Sequence, residues 1–394
     1  LTALLFSPVL PSPTGGGSAM RASAVLEVLA EQGPVIVVHL PVWGDRSELF
    51  DRRWVQRHAT AVLRITADEL PQLTERVAAT LSACVPDQPL RLIHAFRLVV
   101  APLALRCLGL AAVRPRLLLD LDDDECARDL EYAALEQAAG RRERAERLRA
   151  ERGRMERFRG LLLQRFDQVF LANAADCRLL AKRYPDRCFV HLPNVMRPLP
   201  PRIMGMAGPS RPVAADPRAL LFLGTLDYLP NEDGVAFFVD EVLPLLRAAD
   251  AAMTLRVVGV GLPPSLAGLA AVPGVTLVGP VPETAPEFAQ AGMLVVPLRA
   301  GSGSRIKILE AFQHGTPVVS TAKGAEGLAV VDGEQLLLAD SPAALAAACL
   351  ALAADPTLRQ RLATNARGWV EREHGLEAMA TVFARAMDLP GVDA

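Results

Sequence analysis

The chain has 394 residues, 51% of them apolar, and a formal net charge of −2. That length fits two core-bearing domains, and the near-neutral balance gives no basis for nucleic-acid binding. No uninterrupted apolar run approaches the ~18–20 residues of a membrane-spanning helix, and six scattered cysteines without a C-x-x-C pair fit reduced cytosolic thiols rather than a disulfide frame or a zinc site.

Thr2 to Phe6 predicts a first strand, too short for the apolar stretch of a signal peptide. A Pro- and Gly-rich turn ending in Gly15, Gly16 and Gly17 leads into a helix from about Ala19 to Glu31, and Val35 to His39 predicts the next strand. Glycines ahead of a helix let backbone N–H groups approach a ligand closely, although an ordinary flexible turn reads the same way. Strands follow at 61–65, 90–97 and 117–122, with helices at 69–84 and 99–110. This alternation predicts an α/β fold with a parallel, doubly wound sheet.

In such a sheet the ligand groups lie at the C-terminal strand ends, where His94, Arg97, Asp120 and Asp122 fall. His94 is a candidate for a sugar hydroxyl or a leaving phosphate, or else a structural histidine. Arg97 pairs either with a phosphate or with Asp120. The acidic run from Asp120 to Glu125 resembles a divalent-cation site, but carboxylates after a strand also cap the following helix, and capping or acceptor contact is the favoured reading.

Residues 141–159 hold nine arginines and four glutamates, a local excess of +5. They predict either a solvated, salt-bridged helix or a basic face making weak contact with anionic membrane. A strand at 168–172, a helix near 174–183 and a strand at 189–192 end this half, residues 1–196. Residues 197–217 are dense in proline and glycine and predict a linker.

A second α/β series occupies 218–373, with strands at 218–223, 255–258, 275–279 and 293–296. Its strand-end turns include Gly224-Thr225 and Gly279-Pro280-Val281. Gly301-Ser302-Gly303-Ser304 then feeds a helix from Arg305 to His314, with Ser304 as its N-cap, and Gly315 stops that helix before a strand at 317–320. Free N–H groups at this helix start, with Arg305 and Lys307 beside them, suit an anion. Glu310 lies over a turn further on, where a carboxylate can accept hydrogen bonds from a ribose diol. Together they point to a nucleotide-diphosphate ligand. Helices at about 341–353 and 356–372 follow, and a last helix, 374–388, is expected to pack back on the first domain.

The strings F-L-G-T-L-D from Phe222, R-I-K-I-L-E-A-F-Q-H-G-T-P-V-V-S from Arg305 and G-A-E-G-L from Gly324, together with the N-terminal glycine turn, resemble the retaining glycosyltransferases of family 4. The resemblance covers nearly the whole chain and is strongest from Arg218 to Leu328. It implies a GT-B fold, two Rossmann-like domains facing a cleft, with the donor mainly on the second and the acceptor on the first. It implies a nucleotide-sugar donor, a glycan or lipid-linked acceptor, no cofactor and no metal requirement.

The resemblance also implies residue roles. Glu310 matches the second glutamate of the family's pair and holds the ribose. Ser302, Gly303 and Ser304 match the diphosphate loop, Val281 the backbone contact to the base, Gly16 and Gly17 the N-terminal loop, and His94 the histidine near the donor sugar. Two features depart from the family. Ser302 stands where the pair's first glutamate is expected, and Thr225 and Glu232 stand where many members carry Arg and Lys. Arg305 and Lys307, with Arg299 third, are the candidates to replace those cations. The expected enzyme is cytoplasmic, with possible attachment at the inner membrane face. An epimerase on the same scaffold and a catalytically silent nucleotide-sugar-binding subunit are the alternatives.

Overall fold

A computed structural model describes residues 2–14, 16–42, 52–199, 215–303 and 305–387. The chain divides into two compact units. Unit 1 comprises Leu1–Cys126, Glu151–Arg197 and His374–Ala394, and unit 2 comprises Ala127–Ala150 and Pro198–Glu373. The sequence division assigned 127–150 to the first half, whereas in the structure these residues group with unit 2. Most of the predicted linker, 200–214, lies outside the described residues.

Unit 1 is built on seven parallel strands, β1 (Thr2–Ser7), β2 (Val35–His39), β3 (Ala61–Arg64), β4 (Leu90–Phe96), β5 (Arg116–Asp122), β6 (Gln168–Leu171) and β7 (Phe189–His191), in the order 3-2-1-4-5-6-7. Strands of an all-parallel sheet are covered on both faces and read as apolar runs rather than alternating ones. In β1 every residue is buried. Leu4 and Phe6 point into one core cluster with Ile36, Val38 and Ile93, while Ala3 and Leu5 point into a second with Val35, Val37 and Leu92. This follows from the two-residue period of a strand.

The helices of unit 1 are α1 (Gly17–Gln32), α2 (Arg52–His58), α3 (Leu73–Cys84), α4 (Ala101–Arg106) and α7 (Ala174–Arg183), while α5 (Glu125–Ala138) lies almost wholly in unit 2 and α6 (Arg142–Leu163) starts in unit 2 and ends in unit 1. The helix expected over 99–110 is broken into a 3-10 turn, α4 and a second 3-10 turn. Pro102 falls in the first turn of α4, where its missing N–H costs nothing but where no helix can run through from before it.

Unit 2 repeats the plan with six parallel strands, β8 (Ala219–Leu223), β9 (Thr254–Val258), β10 (Val275–Gly279), β11 (Met293–Val296), β12 (Val318–Ser320) and β13 (Leu337–Leu338), ordered 10-9-8-11-12-13. Its helices are α8 (Leu229–Phe237), α9 (Leu243–Ala249), α10 (Ala285–Gln290), α11 (Ile306–Gln313), α12 (Pro342–Ala354) and α13 (Pro356–Glu373). A π-helical turn at Phe238–Val242 joins α8 to α9, and Pro244 restarts the regular helix. Phe222, Val257, Val295 and Val319 from the sheet and Val235, Leu246 and Leu345 from the helices form its core.

The last helix, α14 (Leu376–Ala386), belongs to unit 1 and buries Met379 and Phe383 against the sheet face that carries Leu5 and Phe170. In both units the strand order reverses beside the first strand, between β1 and β4 and between β8 and β11. Ligands of open α/β sheets bind outside the C-terminal strand ends at such reversals.

Candidate functional site

At the reversal in unit 2, the turn after β8 and the loop after β11 are joined by side chains. Asn231, on α8 and 6% exposed, donates from Nδ2 to Thr225 O at 2.8 Å. That bond fixes the amide orientation and turns Oδ1 toward Lys307 on α11, whose Nζ donates to it at 2.7 Å. The ammonium also lies 4.5 Å above the Phe222 ring. Gly224 makes room for both groups. A Cβ there would meet Asn231 Nδ2 at 2.6 Å and Lys307 Nζ at 3.0 Å. Lys307 therefore carries a cation from α11 back to the end of β8, beside Thr225. Burial pushes its pKa down to about 7, nearby Arg305 pushes the same way, and Glu310 opposes them.

Glu310 lies one turn further along α11, half-buried. Burial pushes its carboxyl up to about 7, against a hydrogen bond from Thr284 Oγ1 at 3.5 Å and the pull of Lys307. A cation and a carboxylate on one helix face thus both titrate near neutrality. The loop before α11 has Gly301 at φ 106° and Gly303 at φ 96°, backbone that favours glycine. Ser302, Gly303, Thr225 and Val281 are half-buried around these turns, and Ser304 lies outside the described residues.

Two expected cations have other partners. Arg305 is 6% exposed, and its Nη2 donates to Gly301 O and to Lys323 O, both at 2.8 Å. It ties the loop after β11 to the loop after β12. It occupies the N-cap position of α11, the place expected for Ser304, without a side-chain capping bond. Arg299 is held by Asp233 through bonds of 2.9 and 2.6 Å.

Sequence reading missed Glu131. Its Oε2 accepts from Gly301 N–H at 2.7 Å and its Oε1 pairs with Lys323 Nζ. The acidic run read as a helix cap was the available signal for α5, but nothing local ties position 131 to a loop 170 residues away.

In unit 1, Gly16 precedes α1 in an extended conformation and is exposed, and Gly17 is half-buried. His94, expected near the donor sugar, lies inside the sheet of unit 1. It registers with Leu5 and Leu118 inside the sheet, is 0% exposed, stacks on Phe170 at 6.3 Å and lies tilted against Phe383 at 5.7 Å. Its ring lies among apolar side chains, out of contact with solvent. Burial pushes its pKa down to about 4, with Asp120 opposing and Arg21 adding to the shift.

The unfolded chain, with an ordinary histidine near pH 6.5, therefore takes up a proton that the folded chain refuses. Stability falls as pH drops from about 6.5 toward 4. His94→Phe removes that share, so its urea midpoint falls less than the wild type's between pH 7 and pH 5. An equal fall in both proteins contradicts the assignment.

Arg97, Asp120 and Asp122 belong to one buried ionic network. Arg21, missed by sequence reading, is 1% exposed and donates from Nε and Nη2 to the Asp120 carboxylate at 2.9–3.1 Å, and from Nη1 to Leu192 O and Asn194 Oδ1 at 2.8 and 3.1 Å. Arg97 pairs with Asp122, Asp123 and Glu125, not with Asp120 as expected. Arg159 pairs with Asp124. Burial works against the Arg97 charge, but the three carboxylates hold it firmly protonated. Arg97 and Asp122 have φ of 76° and 64°, left-handed for residues other than glycine. Arginines thus neutralise the acidic run. Among the described residues, no group of three His, Cys, Asp or Glu is arranged to hold a metal ion.

The basic helix α6 carries ion pairs Arg147–Glu143, Arg152–Glu156 and Arg154–Glu151, with Phe158 and Leu161 exposed. No described helix is long and apolar enough to cross a membrane.

Residues 217–355 match the family model Glycosyl transferases group 1. Solved structures share the fold across the chain. Sucrose-phosphate synthase from Thermosynechococcus elongatus is 19% identical with a TM-score of 0.67, covering 98% of each chain. Anabaena HepE in complex with UDP and glucose is 14% identical with a TM-score of 0.66, covering 98% of this chain and 99% of that one. TarM is 9% identical with a TM-score of 0.66, covering 98% of each. The fold is that of the GT-B glycosyltransferases. No curated protein sequence matches the chain.

Proposed function

We propose that this glycosyltransferase takes a sugar from a nucleotide-diphosphate donor bound at the β8/β11 reversal of unit 2 and transfers it to a glycan or lipid-linked acceptor with retention of configuration. The observation that carries this reading is the Lys307 ammonium, delivered by α11 to the end of β8 three residues ahead of Glu310, with both groups drawn to a pKa near 7. The matched family and the UDP-bound fold relative support the donor class.

In this reading the diphosphate lies along the Gly301–Gly303 loop, Thr225 and the Lys307 ammonium. Lys307 and the loop N–H groups offset the charge that builds on the leaving phosphate as the glycosyl centre becomes oxocarbenium-like. Glu310 accepts hydrogen bonds from the ribose diol, and Val281 offers backbone groups to the base. Gly16 and Gly17 supply N–H groups on the acceptor-side unit, where Arg97, Asp120 and Asp122 keep the strand ends in shape and do not touch the acceptor. The acceptor proton passes to the departing phosphate oxygen, and no side chain has to form a covalent bond to the sugar. Fixed positive charge from the protein replaces a metal ion.

Product analysis with UDP-, GDP- and ADP-sugars tests the reaction. Sugar on an acceptor with the donor's anomeric configuration supports the proposal. An inverted linkage, an isomerised donor without transfer, or nucleotide binding with neither transfer nor donor hydrolysis overturns it. Glu310→Ala removes a hydrogen bond to a charged acceptor, worth about 1.5–3 kcal/mol. It is expected to weaken nucleotide affinity by roughly tenfold to a hundredfold. Calorimetric titration with the nucleoside diphosphate checks this, and an unchanged dissociation constant removes Glu310 from the site.

A further inference from the structure

We propose that Glu131, on α5, is a positioning residue of the donor site, an inference that rests on the donor-site reading above. Gly301 and Lys323 head two loops that follow neighbouring strands, β11 and β12. Arg305 Nη2 donates to the carbonyl oxygens of both residues at 2.8 Å. Glu131 engages the donor groups of the same two residues. Its Oε2 accepts from Gly301 N–H at 2.7 Å, and its Oε1 pairs with the Lys323 ammonium. One guanidinium therefore gathers the two acceptors and one carboxylate gathers the two donors, a clamp that sets the spacing of the loops.

The clamp bears on the proposed diphosphate loop because Gly301 is its first residue and has the left-handed φ of 106° that starts the turn. A residue with left-handed backbone is held by its hydrogen bonds, and at Gly301 these run to Arg305 on one side and Glu131 on the other. The adjacent Tyr132 extends the contact, its ring lying edge-on to that of Tyr228 at 5.9 Å. Tyr228 ends the turn after β8 and precedes α8, the helix that carries Asn231. Residues 131 and 132 thus touch both loops between which Lys307 is placed. Neither Glu131 nor Tyr132 lies in the segment that matches the glycosyltransferase family.

Without Glu131, the Gly301 N–H and the Lys323 ammonium lose their common partner and the two loops sample a wider spacing. A donor then has to order them at the expense of binding free energy. Titration of the full chain with UDP, GDP and ADP, followed by donor kinetics, tests this. Glu131→Ala is expected to weaken the diphosphate that binds the wild type by about tenfold, which is about 1.4 kcal/mol. It should raise the donor KM by a similar factor and leave kcat within about twofold. Glu131→Gln keeps an acceptor for Gly301 N–H but loses the charge facing Lys323, and its loss should fall between wild type and Glu131→Ala.

Lys323→Met should match Glu131→Gln, and adding Lys323→Met to Glu131→Ala should cost nothing further, as for groups that act as one unit. Wild-type or tighter affinity in Glu131→Ala, additive losses in the double variant, or a fall in kcat with unchanged KM each overturn the proposal. Glu310→Ala separates the two readings. If it weakens binding and Glu131→Ala does not, only the clamp is wrong. If neither does, the donor site itself is misplaced.

Discussion

Lys307→Met lowers turnover by about a hundredfold to a thousandfold, the range for loss of one preorganised charge at a site of developing negative charge. Methionine keeps an unbranched apolar stem, so the loss reports the ammonium, including its place over the Phe222 ring. The same residue sets a pH dependence whose sign is fixed. The free protein holds Lys307 near pH 7 and Glu310 near pH 7. A diphosphate favours the protonated lysine and raises its pKa, so affinity weakens as pH rises above about 7. Ribose hydroxyls favour the ionised carboxylate and lower its pKa, so affinity weakens as pH falls below about 7. Donor affinity should therefore follow a bell centred near neutrality. Lys307→Met removes the alkaline limb and Glu310→Gln the acidic one. Titration calorimetry across pH 5.5–9 reads both limbs, and a flat profile in the wild type contradicts the assignment.

Arg21→Met destabilises unit 1 by about 3–5 kcal/mol, because it leaves the buried Asp120 carboxylate without its cation. Asp120 is 0% exposed, and three of the arginine's bonds end on it, while Leu192 O and Asn194 Oδ1 lose a donor at the same time. Replacing both partners, Arg21→Met with Asp120→Leu, should recover much of the loss, since removing a buried pair together avoids the stranded charge. Urea denaturation of the three variants measures this. A single substitution costing less than about 1 kcal/mol would show that the network is solvated and not structural.

The parts of this molecule that sequence discloses are those built from near neighbours. The stretch 301–320 reads as loop, helix and strand because Gly301, Gly303 and Gly315 punctuate it and Ile306, Leu309 and Phe312 repeat at helical spacing. Lys307 and Glu310 stood out there because the helix start is itself a local feature. What lay hidden depends on distant partners. Lys307 meets Asn231 across 76 positions, and Arg21 meets Asp120 across 99.

His94 sits inside the sheet for a different reason. Strand direction indicates which end of β4 faces a ligand, but the histidine lies two residues short of that end, and the two-residue period aims its ring at Phe170 and Phe383. Arg97 follows the strand, and three carboxylates of its own chain surround it. Charge at a strand end marks a site only where the chain leaves it unsatisfied by its own counter-charges.

The most direct test of the central claim is calorimetric titration of the full chain with UDP, GDP and ADP, repeated on Glu310→Ala and Lys307→Met. Binding of at least one nucleoside diphosphate by the wild type, weakened at least tenfold in both variants, is the predicted result. No binding by the wild type, or binding that both variants retain in full, would contradict a nucleotide-sugar site at the β8/β11 reversal.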